Sequence, residues 1–516
     1  MTSSLAPTEN ANLFAALQAA FPADLSAIAI ETDTGLHYSW QDLERSTAML
    51  ANFLTSLDLP AGSRIAVQVD KSVEALMLYL ATLRAGFVYL PLNTAYQKAE
   101  MAYFIGNAEP AVVVCSAPHF GWVAQLAFQA GTRYVFTLND DRTGSLLDRA
   151  AHQSHTHEVA HLAPDDLAAV IYTSGTTGRS KGAMLTHRNL LSNAQVLKAA
   201  WGWVPDDVLI HALPIFHVHG LFVAIHGALL NGSKMMWFNR FEPRATIQAM
   251  AQATVFMGVP TLYTRLLAEP SLTREAVRQM RLFVSGSAPL LMDTFAQWQT
   301  RTGHTILERY GMSETVMLTS NPYDAQHGPR RGGTVGFALP EVQVRVVDEE
   351  GRAVPAGDIG AVQVKGPNVF QGYWRLPEKT AEEFTPDGFF KTGDVGHLDA
   401  RGYLTIVGRS KDLIISGGYN VYPAEIEGYI NAMPGVAESA VVGVPHADFG
   451  EVGVAVVTAK PDAVVVPEDI LAQLKATLAN FKVPKRCVVV TTLPRNAMGK
   501  VLKNILRQTY NAQCGS

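Results

Sequence analysis

The segment YTSGTTGRSKG, residues 172–182, concentrates side chains that can bind a polyanion. It combines serines and threonines with three glycines, an arginine and a lysine. Burying so many polar groups in a core would leave them unpaired, so we expect the segment in a cleft or at the surface. A glycine-rich turn can aim backbone N–H groups at phosphate oxygens, and hydroxyls and a lysine add donors. The segment therefore predicts a phosphate-binding loop.

The Walker A motif, the most familiar phosphate loop, does not fit this segment. That motif reads G-x-x-x-x-G-K-[ST]. Here Gly175 and Gly178 are too close together, and Gly182 follows Lys181. P-loop kinases and ATPases are therefore disfavoured, and on the local sequence alone a flexible surface loop is the alternative.

The elements that must position this loop alternate along most of the chain. Strand-like runs precede helix-like segments at 63–69 and 74–86, 253–260 and 261–269, and 281–290 and 292–303. This alternation predicts α/β layers with largely parallel sheets, and we expect the loop to connect a strand to a helix. The pattern becomes β-rich from about residue 334 and compact α+β after residue 410. We predict a large N-terminal domain at 1–408 and a small C-terminal domain at 409–516.

Composition narrows the functional classes. A chain of 516 residues is too long for one core, so two or more domains are expected. Its net charge of −5 without a long basic run argues against nucleic-acid binding. Three scattered cysteines, Cys115, Cys487 and Cys514, indicate neither a disulfide framework nor a zinc site, and they favour a cytoplasmic location. No apolar run is long enough to span a bilayer, and no basic residue precedes Arg45, so we expect no signal peptide and no stable membrane association.

Four further motifs follow the loop in a fixed order. They are ERYGMSET (308–315), KTGDVGHLD (391–399), GRSKDLIISGGYNVYPAEIE (408–427) and PRNAMGK (494–500). With the loop, they resemble the adenylate-forming superfamily of acyl-CoA synthetases, peptide-synthetase adenylation domains and luciferases. The resemblance implies a mobile C-terminal domain and two half-reactions. ATP and a carboxylate first give an acyl-adenylate and pyrophosphate, and the thiol of coenzyme A then displaces AMP.

The resemblance also assigns the nucleotide-binding residues. The β- and γ-phosphates would contact Thr173, Ser174, Gly175, Thr176, Thr177, Gly178 and Lys181. The nucleotide would further contact Ser287, Glu308, Arg309, Tyr310, Gly311, Met312 and Ser313. Within that set Tyr310 would stack on adenine. Asp394 would bind the ribose hydroxyls, since a carboxylate accepts two O–H bonds well, and Arg409 would contact the ribose or a phosphate.

Metal binding, catalysis and coenzyme A binding are assigned in the same way. Glu314, with Thr173, would hold Mg²⁺ beside the phosphates, although a helix-capping glutamate is the alternative. Lys500 would reach the α-phosphate and the carboxylate in one domain orientation, and its exposure makes it a target for a lysine-acetylating regulator. Lys411 would be the hinge. Gly417, Gly418 and Tyr419 would approach the pantetheine of coenzyme A, unless the glycines only form a turn.

The acid is indicated by polar residues near the expected acyl pocket. Arg265, Arg281 and Ser285 lie in the relevant segments, and an arginine can bind a second carboxylate through two hydrogen bonds. The alternative for each arginine is a structural ion pair. His217 would lie against the acyl group, with a packed core histidine as the alternative. No acidic or cysteine neighbour supports a metal site at His217 and His219.

Further segments resemble the malonyl-CoA synthetases within this superfamily. They include LPLNTAY, GVPTLYTRLL, LTSNPYD and GPNVFQGYWRLPEKT. The resemblance implies malonate as substrate, often with methylmalonate, and favours Arg265 as the clamp for the distal carboxylate. A medium-chain or aryl-acid CoA ligase, a peptide-synthetase adenylation domain and a non-catalytic nucleotide sensor are the competing interpretations. Retention of Lys500, Glu314 and Asp394 argues against the sensor.

Overall fold

The computed structural model describes residues 10–173, 180–416, 419–446, 449–496 and 499–511. The helices are α1 (Leu13–Ala19), α2 (Trp40–Thr55), α3 (Val73–Arg84), α4 (Lys98–Ala108), α5 (Phe120–Gln129), α6 (Ser145–Ala150), α7 (His187–Ala200), α8 (His226–Leu229), α9 (Pro243–Ala249), α10 (Pro260–Leu267), α11 (Met292–Thr302), α12 (Pro377–Glu383), α13 (Pro423–Asn431), α14 (Pro467–Thr477) and α15 (Lys503–Asn511). A π-helix, His219–Ile225, leads directly into α8.

The strands form four sheets in the described residues. They are β1 (Ile28–Thr32), β2 (His37–Ser39), β3 (Arg64–Gln68), β4 (Val88–Pro91), β5 (Val112–Cys115), β6 (Tyr134–Thr137), β7 (Leu167–Thr173), β8 (Lys181–Thr186), β9 (Val208–His211), β10 (Lys234–Trp237), β11 (Val255–Gly258), β12 (Leu282–Ser285), β13 (Leu307–Tyr310), β14 (Thr319–Ser320), β15 (Phe337–Ala338), β16 (Gln343–Val347), β17 (Gly360–Lys365), β18 (Gly372–Tyr373), β19 (Phe390–Leu398), β20 (Leu404–Arg409), β21 (Ile414–Ser416), β22 (Tyr419–Val421), β23 (Val436–His446), β24 (Gly450–Ala459) and β25 (Arg486–Val490).

Two large sheets carry most of the N-terminal part. One has the order β18-β8-β7-β4-β3-β5-β6, and the other has the order β15-β14-β13-β12-β11-β9-β10-β1-β2. Strands β9 to β13 run parallel to one another within the second sheet, as the alternation of runs predicts. Helix α3 is apolar on nearly all sides and buried along its whole length, and it joins a core shared by both sheets. The α/β fold class is therefore confirmed.

Two smaller sheets account for the change of pattern after residue 334. Strands β16, β17, β19 and β20 form an antiparallel sheet that ends at Arg409. After a short 3₁₀ turn at Ser410–Asp412, β21 starts a separate sheet of order β22-β21-β24-β23, with β25 beside β24. Helices α13, α14 and α15 pack on this last sheet, which has its own apolar core. Among the described residues, no helix combines the length and apolarity needed to cross a membrane.

The surroundings of the phosphate-loop motif differ from the prediction. The motif was expected to connect a strand to a helix, but β7 is followed by a second strand, β8, and only then by α7. The two strands are antiparallel, with Thr173 paired to Lys181. The run KGAMLT forms a strand beside β7, with Ala183 and Leu185 buried. The helix therefore begins only after this strand. The loop therefore caps a β-hairpin and does not open a helix.

Candidate active site

Three motifs meet because the strands before them are parallel neighbours. Gly258 at the end of β11 pairs with Ser285 at the end of β12, and Ser285 pairs with Glu308 in β13. The segments that leave these strands, GVPTLYT, SGSAPL and ERYGMSET, therefore emerge at the same edge of the sheet. The carboxyl ends of parallel strands are the usual place for a ligand site in an α/β fold.

Asp394 is the centre of a buried polar cluster. Its side chain is 4% exposed, and its Oδ1 lies 2.6 Å from Nε of Arg409. The hydroxyl of Tyr310 donates to its Oδ2. Burial, the Asp394 charge and the hydrogen bond together raise the pKa of Tyr310, so the phenol stays protonated as a donor. The structure thus brings Tyr310, Asp394 and Arg409 together from three different motifs.

Glu314 and Lys181 lie on either side of Tyr373. The Tyr373 hydroxyl donates to Glu314 Oε1 at 3.0 Å, and the ammonium of Lys181 lies 4.1 Å from the centre of the Tyr373 ring. Lys181 also pairs with Glu383 of α12 at 3.6 Å. Burial raises the pKa of Glu314, and the hydrogen bond from Tyr373 and the charges of Arg409 and Lys181 oppose that rise.

These residues fit a magnesium ion held mainly by phosphate oxygens. Mg²⁺ usually takes only one or two protein carboxylates and completes its shell with water and substrate phosphates. Glu314 is a buried carboxylate close to Lys181, and Thr173 ends β7 at the base of the loop. No group of three or more His, Cys, Asp or Glu side chains suited to a metal occurs in the described part of the chain. The donor set therefore suits a magnesium–nucleotide complex better than a protein-only metal site.

Part of the predicted phosphate and coenzyme A sites cannot be described. Ser174, Gly175, Thr176, Thr177 and Gly178 of the loop, and Gly417 and Gly418 of the small domain, lie outside the described residues. Tyr419, which follows those glycines, is 58% exposed and stacks on Phe481 at 4.6 Å.

Lys500 approaches the large domain at this same place. Gly499 before it has φ of +73°, and a Cβ there would lie 2.8 Å from Oγ1 of Thr261, so the two domains are in close contact. Loss of hydration lowers the pKa of Lys500, and the charge of Arg409 lowers it further, while Asp394 opposes the shift. The amine therefore lies within the range of the charges of Asp394 and Arg409. Lys411 is exposed in the 3₁₀ turn between the two sheets.

A cavity of about 550 Å³ opens beside Lys500. Its wall includes Thr261 and Arg265 from α10, Arg240 and Phe241 from the segment after β10, and Lys71. Arg265 is exposed and lies over the Phe241 ring at 4.9 Å. Sequence reasoning missed Arg240 and Lys71, although each closely follows a parallel strand, and that position is a usable signal.

The position of Arg281 differs from the one expected for a substrate-binding residue. It precedes β12, whereas Ser285 ends that strand, so Arg281 lies at the far end of β12 from the site. Its guanidinium is already paired with Asp207, with Nε 2.7 Å from Oδ1 and Nη2 2.5 Å from Oδ2. The structural ion pair, the alternative for this residue, is therefore what the structure shows, and Arg281 does not line the cavity.

Several further predicted residues lie in the segments that follow β9, β12 and β13. Ser287 Oγ lies 3.4 Å from Nδ1 of His219, at the start of the π-helix, and Ser287 itself has φ of +71°. Burial lowers the pKa of His217 to about 4, with contributions from Arg309 and Lys500, so its imidazole is neutral at physiological pH. The neighbouring motif residues are tightly fitted, since a Cβ on Gly311 would lie 1.9 Å from the Val316 carbonyl oxygen.

Glu308, Met312 and Ser313 complete the predicted set. Glu308 is 7% exposed, its Oε1 accepts from the Gly333 N–H at 3.1 Å, and burial raises its pKa to about 8. Its carboxyl therefore ties β13 to the turn at Gly333. The Met312 N–H donates to Thr315 Oγ1 at 3.3 Å, and Ser313 is partly exposed beside it.

Comparison with known proteins agrees with this site. The family model for AMP-binding enzymes matches residues 15–374, and that for the AMP-binding enzyme C-terminal domain matches 425–500. A malonate–CoA ligase of Arabidopsis thaliana is 35% identical over 484 residues, covering 88% of this chain and 79% of that protein. The crystal structure of ATP-bound MatB from Rhodopseudomonas palustris is 55% identical, with a TM-score of 0.95 over 98% of this chain and 100% of that one.

A second structure of that neighbour allows its two conformations to be compared with this chain. Apo MatB from Rhodopseudomonas palustris has the same 55% identity and the same coverage, 98% and 100%, but its TM-score is only 0.83. Because identity and coverage are the same, the difference lies in conformation, and this chain superposes more closely on the ATP-bound structure. The matched sequence, the nucleotide cluster and the position of Lys500 agree, and the chain belongs to the AMP-binding enzyme family.

Proposed function

We propose that this protein is an AMP-forming malonate–CoA ligase, which joins malonate to coenzyme A with ATP. The observation that carries this proposal is that two arginines, Arg240 and Arg265, line a cavity that Gly499, the neighbour of Lys500, also borders. A fatty or aryl acid needs no second cation beyond the adenylation lysine. The malonate–CoA ligase relative supports the same conclusion, and a methyl branch would still fit the cavity, so methylmalonate is a second candidate substrate.

The first half-reaction brings two anions together. A carboxylate oxygen of malonate attacks the α-phosphorus of ATP, and the bond from that phosphorus to the pyrophosphate oxygen breaks. Positive charge and fixed donors must therefore surround the reacting atoms. Lys500 would supply the charge there, since a unit charge about 4 Å away is worth ~4 kcal/mol at an effective dielectric near 20. Thr173, Lys181 and the loop between them would hold the leaving pyrophosphate.

The nucleotide is held by the cluster around Asp394. Asp394 would accept the ribose hydroxyls, and Arg409 would both orient that carboxylate and offer its remaining donors to ATP. Tyr310 would present its ring to adenine. Glu314 and Thr173 would hold Mg²⁺, which when bound neutralises phosphate charge.

The second half-reaction needs the other face of the small domain. We propose that residues 409–516 move as a unit about Lys411, which supports a domain boundary at 408/409 because β20 ends at Arg409 and the last sheet starts at β21. Rotation would withdraw Lys500 and bring Gly417, Gly418 and Tyr419 to the acyl group. The thiolate of coenzyme A then attacks the acyl carbonyl, and AMP leaves with the bond electrons.

An acid-dependent exchange of pyrophosphate into ATP tests this function. The wild-type protein, tested with a panel of acids, should favour malonate and methylmalonate over butyrate and benzoate, and coenzyme A should then give the thioester. Preference for butyrate or benzoate would support the medium-chain or aryl-acid alternative. ATP binding without exchange for any acid would support the nucleotide sensor.

Location and regulation are part of the same proposal. We propose action in the cytoplasm, which is supported by two buried cysteines, Cys115 and Cys487, that form no disulfide. We also propose a lysine-acetylating regulator, because acetylation would remove the charge that Lys500 is proposed to supply in adenylation. Mass spectrometry of the protein from its own cells, with pyrophosphate exchange before and after deacetylation, would test that regulation.

A further inference from the structure

Val316 has a strained backbone conformation, two residues after Glu314. Its φ is +54°, in the left-handed region, and its side chain is 1% exposed. A β-branched residue seldom adopts this region, because its side chain crowds the backbone there. Among the described residues, seven others besides glycines have positive φ, and none of those seven is β-branched. The loop 311–318, which joins β13 to β14 and carries Glu314, is therefore held in a conformation that Val316 itself opposes.

Two buried asparagines hold the backbone on both sides of Val316. Asn193 of α7 is 2% exposed; its Nδ2 donates to the Met317 carbonyl oxygen at 2.8 Å, and its Oδ1 accepts from the Met317 N–H at 3.3 Å. Asn368, between β17 and β18, is 1% exposed. Its Nδ2 donates to the carbonyl oxygens of Thr315 at 2.7 Å and Met317 at 2.9 Å. The residues before and after Val316 are thus bonded to two other segments of the chain.

The segment that contains Asn368 also contacts Glu314 directly. The N–H of Phe370 donates to the Glu314 carbonyl oxygen at 2.8 Å, and the Tyr373 hydroxyl donates to Glu314 Oε1 at 3.0 Å. One stretch of chain, 368–373, therefore bonds the loop at its backbone and at its carboxylate. A change of backbone conformation at Val316 would move that carboxylate relative to Tyr373.

Helix α7 connects this arrangement to the strand that carries Lys181. Lys181 begins β8, and α7 follows β8 directly. Asn189 of α7 donates through Nδ2 to the carbonyl oxygens of Pro367 at 2.7 Å and Val369 at 2.9 Å. Asn189 and Asn193 are four residues apart, so they lie on one face of the helix. The same face of α7 therefore holds both the Asn368 segment and the Glu314 loop.

We propose that Asn193 and Asn368 are positioning residues, which place Glu314 for the magnesium–ATP complex by keeping Val316 in its left-handed conformation. This inference rests on the proposed function, in which Glu314 holds Mg²⁺. Mg²⁺ requires near-ideal octahedral geometry, so a small displacement of its carboxylate weakens binding. Without either asparagine, Val316 would relax to negative φ and carry Glu314 away from its position.

Titration calorimetry without any acid tests the proposal by binding alone. Asn193→Ala and Asn368→Ala should each weaken binding of ATP in excess Mg²⁺ about 10-fold or more, the range expected for residues that orient a metal ligand. Binding of ATP in EDTA should change less than about 3-fold, because the Asp394 cluster does not depend on the loop. In pyrophosphate exchange, the half-saturating Mg²⁺ concentration should rise, while the KM for malonate stays within about 3-fold. Normal binding in both variants, or equal losses with Mg²⁺ and with EDTA, would overturn the proposal.

Asn12→Ala is the matched control. Asn12 is also fully buried, and its Nδ2 donates to two backbone carbonyl oxygens, those of Leu83 at 2.8 Å and Ala160 at 3.0 Å. It caps α1 and contacts neither the Glu314 loop nor α7 through these bonds. Its removal should lower the melting temperature without changing the dependence of ATP binding on Mg²⁺.

Val316→Gly separates positioning from a general role in folding. Glycine adopts positive φ without strain, so the loop should stay in place when an asparagine is removed. Val316→Gly with Asn368→Ala should therefore bind ATP with Mg²⁺ at least about 3-fold more tightly than Asn368→Ala alone. Urea unfolding should show no matching rescue of stability, since the lost hydrogen bonds are not replaced. Absence of the rescue in binding would overturn the proposal.

Val316→Pro keeps the proposal testable if the asparagine variants fold poorly. Proline fixes φ near −65° and leaves both asparagines in place, so binding of ATP with Mg²⁺ should again weaken about 10-fold or more. Unchanged binding in Val316→Pro would count against the role of the strained conformation. A wild type that shows no acid-dependent exchange would reject the proposed function, and calorimetry would still decide this inference because it needs no acid. An active wild type with normal asparagine variants rejects only the inference.

Discussion

At the scale of single residues, the site contains charged side chains with a protein partner and others without one among the described residues. The Nε atom of Arg409 lies 2.6 Å from Oδ1 of Asp394, so each side chain holds the other in place. Arg309 has no such partner in the described chain, and Lys500 is held near the nucleotide cluster by the fit of Gly499 against Thr261. Preorganised but unneutralised charge is what stabilises an anionic transition state.

Replacing Lys500 with alanine should separate the two half-reactions. Loss of one preorganised donor costs roughly 10²–10³ in rate, so malonate-dependent pyrophosphate exchange should nearly disappear. Thioester formation from supplied malonyl-adenylate should remain within about 3-fold of wild type, because the proposed domain rotation would withdraw Lys500 in that step. Lys475→Ala, an exposed lysine on α14, is the matched control. Equal loss in both half-reactions would contradict this division of labour.

At the scale of elements, β13 and its neighbouring turn are joined by a buried carboxyl. Glu308 accepts hydrogen bonds from backbone N–H groups of Gly333 and Leu290, yet burial raises its pKa to about 8. The folded state therefore binds the Glu308 proton more tightly than the unfolded chain does. Such a group contributes stability that is complete below its unfolded pKa and is lost as pH rises through the folded value.

The stability of the protein should therefore fall between about pH 4.5 and pH 8 in part because of Glu308. Glu308→Gln removes this titration, so the free energy of unfolding should decline less steeply over that window, by a few kcal/mol in total. Urea unfolding at several pH values measures the slope. Glu341→Gln, an exposed glutamate, serves as the control and should follow wild type. Parallel curves for all three proteins would show that Glu308 does not titrate in this range.

The 3₁₀ turn at Ser410–Asp412 connects the β16–β20 sheet to the last sheet, and we propose it as the hinge between the two domains. Lys411→Pro should stiffen it, because proline locks φ near −65° and that value already suits a 3₁₀ turn. Pyrophosphate exchange should survive, while thioester formation should fall about 10-fold or more, since the turn could no longer rotate. Lys411→Ala removes the side chain only and should leave both rates close to normal. Normal thioester formation in Lys411→Pro would place the hinge elsewhere.

At the scale of the whole molecule, the chain superposes more closely on the ATP-bound neighbour than on its apo form. The TM-score against ATP-bound MatB is 0.95, compared with 0.83 for the apo form. An ion pair between Lys460 of the small domain and Asp293 of α11, at 3.1 Å, also joins the domains. Both side chains are about half exposed, so the pair biases the arrangement only weakly.

Charge reversal should reveal that bias. Asp293→Lys should slow pyrophosphate exchange by no more than about 5-fold, because exposed ion pairs contribute 0.2–1 kcal/mol, and the effect should shrink at high salt. Thioester formation from supplied malonyl-adenylate should not slow. The double variant Asp293→Lys with Lys460→Asp restores the pair and should restore exchange. Failure of the swap to restore the rate would mean that Lys460 does not act through Asp293.

The amino-acid sequence by itself determined the fold class, the family and the chemistry. Alternating apolar runs specify parallel α/β layers because strand and helix periods are local properties, and the adenylation motifs are short segments whose order survives without coordinates. Tyr310, Asp394 and Arg409 could be named in this way before their contacts were known, although their roles with ATP remain predictions.

Only the tertiary structure decided which charged side chains are already paired within the protein. Arg281 and Ser285 are four residues apart, but they lie at opposite ends of β12, so one pairs with Asp207 and the other reaches the site. The loop was expected before a helix, and strand pairing made it part of a hairpin instead. Arg309 appears in sequence as one letter of a nucleotide motif. Its lack of a partner depends on what β12 and the π-helix place around it, and such long-range packing cannot be read from local sequence.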